Sequence, residues 1–264
     1  MRKFAVPVPL LALIAGIAGY FLRRRELDTV FDEVTGLAAR GASATTALIG
    51  LVAAVLIVFL AFSIAASVRN KPVRGQPSAF CHMGRANLIA FSLLGIAWIV
   101  AAVIYYLNIR SAGTFPVVET YFSLLSGIAG VSVLLHAIVE YKNSQSGARL
   151  LLSVIPALFM CFWLILMYKR NAANPVLLKY CYQCLAVLTA ALSFYFSAGY
   201  VFGKAAPGKT VLSFLTAIFF CCVTLADPHV REIKAVFAVI IIANLINAVL
   251  LISTFDGKKG RHEA

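Results

Sequence analysis

The residues best placed for chemistry are four cysteines near the ends of two apolar segments. Cys181 and Cys184 form a C-x-x-C pair at the start of one segment, and Cys221 and Cys222 lie near the end of the next. Because consecutive membrane segments run in opposite directions, all four thiols should lie within roughly 10–12 Å of one membrane face. A C-x-x-C pair at a helix start suits thiol–disulfide exchange, and a group of sulfurs would also suit a soft metal ion.

The same four cysteines also have a purely structural explanation. Cysteine packs as a small apolar residue in helical bundles, and a C-x-x-C pair without a thioredoxin-like context is a weak signal. Cys221 and Cys222 are adjacent and point about 100° apart on a helix, so at most one can face the C-x-x-C pair. We therefore expect no single cluster and no bound metal, and we expect serine at positions 181 and 184 to leave function intact.

Motifs for other catalytic or cofactor chemistry do not occur in the sequence. It contains no Walker A loop, no H-E-x-x-H, no G-x-S-x-G and no EF-hand loop. The sequence thus predicts no cofactor, and a non-enzyme more readily than an enzyme.

The segments that carry the cysteines belong to a strongly apolar chain. Of its residues, 62% are hydrophobic and 12% charged, against about 25% charged in soluble proteins, and its mean hydropathy is +0.92. Apolar runs of about 18 residues or more indicate membrane helices, whereas a β-barrel would show shorter, alternating segments. Eight such runs occur, at roughly 4–22, 46–68, 87–107, 120–139, 150–168, 176–202, 210–226 and 235–254. They predict an all-α transmembrane bundle, with residues 1–264 as a single integral membrane domain.

The net charge of +13 is typical of a protein whose partner is the lipid bilayer. In such proteins Lys and Arg flank the membrane spans and set their orientation. No basic face with interleaved aromatics indicates nucleic-acid binding. Eight spans place both termini on one side, and the basic segments 69–86 and 257–264 on that side favour the cytoplasm. We expect a cell-membrane protein with cytoplasmic termini, whose first helix is retained rather than cleaved as a signal peptide.

The charged connector at residues 23–45 allows two local structures. Apolar residues at helical spacing from Leu27 to Leu37 suit an interfacial amphipathic helix. Alternation up to Asp32, with Asp32 and Gly36 as turn residues, instead favours a β-hairpin over 26–40. We expect the hairpin, with the carboxylates of the connector offsetting its arginines.

The connector and the following helix start also carry a resemblance. The pattern LRRxELxTxFDxxTGL followed by GASATTALIGL resembles a group of polytopic membrane proteins of clostridial-type bacteria. The resemblance covers roughly the first 50 residues. It implies a bacterial cytoplasmic membrane and brings no activity and no site residues.

Ionisable side chains are almost absent from the eight predicted spans, which argues against a proton-driven pump or a pore for charged solutes. His136 is the exception, and we expect it to be neutral beside Glu140, one turn on. Asn244 and Asn247 share a helix face, where they would join helices or contact a polar ligand. Three further features suit packing or a cavity: small residues at Gly19 and Gly130, and a loosened helix at Pro156.

These observations lead to one main functional hypothesis and two alternatives. The main one is a non-enzymatic, permease-like or accessory membrane component that handles a neutral or apolar ligand, or a partner protein. The alternatives are a membrane thiol–disulfide oxidoreductase using Cys181 and Cys184, and a membrane sensor.

Overall fold

The computed structural model describes residues 2–32, 37, 41–69, 84–111, 117–142, 147–172 and 176–255. Within these ranges, eight α-helices are long and apolar enough to cross a membrane, and no β-strand occurs. The helices are α1 (Pro7–Thr29), α2 (Ser43–Arg69), α3 (Arg85–Ser111), α4 (Val117–Tyr141), α5 (Gly147–Asn171), α6 (Cys181–Val201), α7 (Pro207–Thr224) and α8 (Arg231–Ser253). The predicted all-α bundle of eight helices is confirmed.

Side-chain contacts show that α3, α4 and α5 alternate in direction. Tyr105 near the end of α3 bonds Glu119 near the start of α4, and Glu140 near the end of α4 bonds Arg149 at the start of α5. A short 3-10 helix, Arg2–Phe4, packs against α8. We call the end that holds the start of α1 and the end of α8 the proximal end, and the opposite one the distal end. The described parts of both termini therefore lie at the proximal end.

Helix α7 forms the centre of the bundle. Nearly all of its side chains are buried, and it packs against α1, α2, α6 and α8. An apolar helix buried on all sides needs neighbours that approach closely, and α1 does so through glycine. A Cβ at Gly16 would lie 2.7 Å from Cβ of Cys222, and one at Gly19 would lie 2.6 Å from Cγ2 of Val223. The predicted packing role of Gly19 is confirmed.

A second close helix pair is α3 with α4. A Cβ added at Gly130 would lie 2.9 Å from Cγ1 of Ile99, so α3 passes directly over this glycine. The Ser123 hydroxyl donates to the Ala102 carbonyl at 2.7 Å. The predicted small-residue contact at Gly130 is confirmed, and it holds α3 and α4 together as a pair.

The connector after α1 differs from the predicted β-hairpin. Helix α1 continues through Arg23 and Glu26 to Thr29, so residues 26–29 are helical and the hairpin prediction is wrong there. The physical reason is that helical spacing places Arg23 and Glu26 one turn apart, where they form a buried ion pair of 2.7 Å. The Asp32 N–H donates to the Leu37 carbonyl at 3.0 Å. The rest of the predicted turn, at 33–36, lies outside the described residues.

Candidate functional site

A cavity lies in the proximal half of the bundle, between α3, α4, α5, α6 and α8. Its volume is about 70 Å³, which is room for a few waters or for one small organic molecule. Most of its wall is apolar, and the lining includes Phe91, Trp98, Pro156, Phe194, Val239 and Ala243. A concave, mainly apolar space with a few polar groups is the usual form of a small-molecule site.

Four polar side chains line this cavity: His136, Ser153, Ser197 and Asn247. The Ser153 hydroxyl donates to the Leu150 carbonyl at 2.7 Å, which leaves its oxygen able to accept. Pro156 has no N–H, so the Leu152 carbonyl one turn earlier receives no hydrogen bond from it. Pro156 and Leu152 both lie at the cavity wall, within a continuous α5, and the loosening of the helix at Pro156 stays a prediction.

Behind His136 lies a buried ion pair between α4 and α5. Arg149 donates to both carboxylate oxygens of Glu140, at 2.6 and 2.9 Å. His136 Nε2 lies 3.5 Å from the same carboxylate, so the predicted proximity of His136 and Glu140 is confirmed. The hydrogen bond expected between them is not formed, because Nε2 has no hydrogen-bond partner among the described residues. The arginine was missed because residue 149 appeared to belong to a loop. Its charge balances that of Glu140, so this pair adds no net charge beside the cavity.

The distal limit of the cavity is a layer of aromatic rings across the middle of the bundle. Neighbouring ring centroids are 5.0 to 6.1 Å apart, as is usual for tilted and edge-to-face pairs. The rings are those of Trp98, Phe122, Phe159, Trp163, Phe194 and Phe237. We call this set the aromatic layer. Trp98 lines the cavity, and its indole Nε1 donates to the Ser126 hydroxyl at 3.0 Å.

A second, much smaller pocket lies on the distal side of the aromatic layer, between α3, α4, α5 and α8. Its volume is about 10 Å³, close to the space that one water needs. Its lining includes Tyr105, Ser123, Ser126, Trp163 and Glu232. The same four helices, α3, α4, α5 and α8, therefore border both pockets. The two pockets lie on opposite sides of the aromatic layer.

The four candidate cysteines lie outside both pockets. Cys221 Sγ is 4.0 Å from the Ala186 carbonyl of α6, whereas Cys222 packs against Gly16 of α1. The two adjacent sulfurs thus face different helices, as their spacing predicts. Cys181 Sγ lies 3.8 Å from the Leu178 carbonyl. Among the described residues, no group of three or more His, Cys, Asp or Glu side chains could hold a metal ion. Redox use of Cys181 and Cys184 stays an untested hypothesis.

A buried charge cluster at the distal end was also missed from the sequence. Arg23 is fully buried and donates to Asp227 Oδ1 at 2.8 Å, to Glu26 Oε2 at 2.7 Å and to the Lys179 carbonyl at 3.1 Å. Its guanidinium carbon lies 4.8 Å from the centroid of the Tyr182 ring. The predicted first span, 4–22, ends before this arginine, whereas α1 continues to Thr29 and so includes Arg23 and Glu26. The arginine can be buried because two carboxylates, a carbonyl and a ring surround it.

Asp227 extends this cluster into the turn between α7 and α8. Its Oδ2 accepts a hydrogen bond of 2.8 Å from Thr224 and lies 3.9 Å from His229 Nε2. Burial lowers the pKa of His229, the charges of Lys234 and Arg23 act in the same direction, and that of Asp227 opposes them. The cluster links α1, the start of α6 and the turn after α7 at the distal end. Through the His229 ring, whose centroid lies 5.9 Å from that of Phe237, it also contacts the aromatic layer.

Comparison with known proteins adds no relative: no family model, no curated protein and no solved structure matches the chain. Its fold defines the protein as a multi-pass integral membrane protein. Any narrower function has to be argued from its own residues.

Proposed function

We propose that the protein is a permease-like membrane protein that binds a small, uncharged and mainly apolar molecule in the proximal cavity. The observation that carries this proposal is the cavity itself, which combines apolar walls with a few hydrogen-bonding groups at the proximal end of five helices. A site of this kind gains affinity from apolar burial and orientation from its polar groups.

The charge pattern around the cavity supports an uncharged ligand. Glu140 and Arg149 bond each other through two contacts, so neither offers a spare unit charge. A charged ligand would have to leave water without a counter-charge, which is costly in a low-dielectric interior. An alcohol, an amide or a similar neutral group would instead find partners in Ser153 and Asn247.

The proposed location is a bacterial cell membrane with the proximal end in the cytoplasm. The support is the charge of the connecting segments: 69–86 and 257–264 are basic and adjoin helix ends at the proximal side. Positive loops are retained on the cytoplasmic side. The cavity would then open toward the cytoplasm in the state described here.

A matched pair of fluorinated probes tests the binding proposal. Trifluoroethanol is neutral and trifluoroacetate is an anion of similar size, and fluorine NMR saturation transfer detects either one on the purified protein in nanodiscs. We expect saturable binding of trifluoroethanol and none of trifluoroacetate.

The control uses two alanine-to-leucine variants. Ala243 lines the cavity and is buried, so Ala243→Leu should fill the space and abolish the signal. Ala53 lies on an exposed face of α2, and Ala53→Leu should leave it unchanged. Equal binding by both variants would show that the probe partitions into lipid and would overturn the proposal.

A further inference from the structure

We propose that the two pockets are the ends of one translocation path through α3, α4, α5 and α8, which opens alternately at either end of the bundle. This inference rests on the proposed function and extends it from binding to transport. The solute would be a small uncharged molecule with a hydrogen-bonding group, because both pockets combine apolar walls with hydroxyl groups.

The first support is that the pockets share a wall. Trp98 lines the proximal cavity, Ser126 lines the distal pocket, and the indole of the first donates to the hydroxyl of the second at 3.0 Å. A change in this contact, with rotation of the Trp98 ring, would join the two spaces. This change would not require a helix to unwind, because the barrier between the two pockets consists of side chains.

The second support is a set of polar contacts that close the distal end. The Tyr105 hydroxyl donates to Glu119 at 2.5 Å and joins α3 to α4. Arg170 bonds the same carboxylate and joins α5 to α4. Asn108 donates to Glu232 at 2.6 Å and joins α3 to α8. We call these three contacts the distal clasp, and two of its members, Tyr105 and Glu232, line the distal pocket directly.

The third support is the asymmetry between the two ends. At the distal end α3 and α8 are joined by the clasp, and the pocket there is about 10 Å³. At the proximal end the cavity of about 70 Å³ lies between the same two helices. The two ends of the proposed path thus differ: the space at the proximal end is the larger one, and the small space at the distal end is bordered by the clasp.

The strength of the clasp suits a gate. The side chains of Arg170 and Glu119 keep 36% and 24% of their exposure, and ion pairs that water reaches contribute little to stability. Such contacts can break without a large cost, so a bound solute could shift the balance between two states. In contrast, α7 is surrounded by packed helices, and the turn that follows it is anchored to α1 by the buried Arg23–Asp227 pair. It would serve as the fixed element.

Thiol accessibility tests this inference without any ligand. In a background in which the six native cysteines are replaced by alanine or serine, Ala102→Cys reports on the distal pocket and Ser197→Cys on the proximal cavity. A membrane-impermeant methanethiosulfonate is added to one side of oriented vesicles at a time. With an intact clasp, we expect Ser197→Cys to react from the proximal side and Ala102→Cys to be protected from both sides.

The decisive variant combines Glu119→Gln with Glu232→Gln. Neutralising both carboxylates weakens all three contacts of the clasp. It should raise the reaction rate of Ala102→Cys from the distal side by about tenfold, and should slow Ser197→Cys from the proximal side. Asp28→Asn serves as control, because Asp28 is an exposed carboxylate near the distal end of α1, outside the clasp. It should change neither rate.

Two results would overturn the inference. One is an unchanged Ala102→Cys rate in the folded clasp variant. The other is a parallel rise at both reporters, which would indicate general loosening. If the rates fail to alternate while trifluoroethanol still binds, the protein is a binder rather than a carrier. If they alternate without trifluoroethanol binding, the path stands and the proposed ligand class is wrong.

Discussion

The indole of Trp98 and the hydroxyl of Ser126 form a hydrogen bond of 3.0 Å in the middle of the bundle. Trp98 belongs to α3 and is fully buried, and Ser126 belongs to α4 and is almost so. Two pockets meet at this contact, one on each side. Its energetics therefore bear on both the stability of the α3–α4 pair and the barrier between the pockets.

The first prediction concerns this hydrogen bond. Ser126→Ala leaves the buried indole N–H without its partner, and a buried unsatisfied donor costs about 1–3 kcal/mol. Ser132→Ala is the matched control, because Ser132 is equally buried on α4 but its hydroxyl bonds the Ala129 carbonyl of its own helix. Unfolding in mixed micelles should show a clear loss of unfolding free energy for Ser126→Ala and a smaller loss for Ser132→Ala. Equal losses would mean that the interhelix bond contributes little.

The sequence predicts the number and course of the helices because each is a property of one continuous segment. Seven of the eight apolar runs correspond to their helices within a few residues. Helix α1 is the exception at its distal end. From the local sequence alone, charged residues such as Arg23 and Glu26 are predicted to belong to a connector between two helices. They are helical and buried because Asp227, more than 200 residues away, completes their charge balance, and no local pattern contains that information.

The site was predicted only in part, for the same physical reason. His136, Pro156 and Asn247 stand out in an apolar sequence, and all three line the cavity. The aromatic layer depends on which faces of five helices meet, and that is decided by packing. Asn244 illustrates the limit, since its amide donates to the Ile240 carbonyl of its own helix rather than to a neighbour.

The second prediction concerns the closest approach of α1 to α7. Gly19→Ala places a Cβ 2.6 Å from Cγ2 of Val223, so the helices must separate, at a cost of about 1–3 kcal/mol. Adding Val223→Ala removes the clashing atom and should recover part of the loss, which a double-mutant cycle measures. Gly50→Ala in α2 is the control, since a Cβ there meets nothing within 4 Å. Additive losses in the cycle would contradict this account.

The third prediction concerns the buried arginine. Arg23→Leu leaves Glu26 and Asp227 buried without their counter-charge and should cost about 3–5 kcal/mol of unfolding free energy. Arg24→Leu, at an exposed position of the same helix, should change little. Replacing all three members by leucine removes the charges together and should recover most of the stability. A triple variant as unstable as Arg23→Leu would show that the cluster contributes more than charge balance.

The last prediction concerns pH. The pKa of His229 is lowered in the folded protein, chiefly by burial, and it is about 6.5 in the unfolded chain. Between these two values the unfolded chain binds more protons than the folded one, so stability rises with pH. The contribution of neutral His229 to the stability of the folded protein is complete above about pH 6.5. It is lost as the pH falls through the pKa of His229 in the folded protein.

His229→Gln should therefore reduce the loss of thermal stability on acidification, because glutamine does not titrate. The polar and charged groups that act on His229 are Thr224, Asp227, Lys234 and Arg23, and its ring packs against that of Phe237. The substitution leaves all of these residues in place. An NMR titration of the imidazole in the folded protein measures the lowered pKa directly and separates it from other acid-sensitive groups. An imidazole that titrates at its ordinary pKa, together with an unchanged acid sensitivity in His229→Gln, would show that burial at this turn does not hold the histidine neutral.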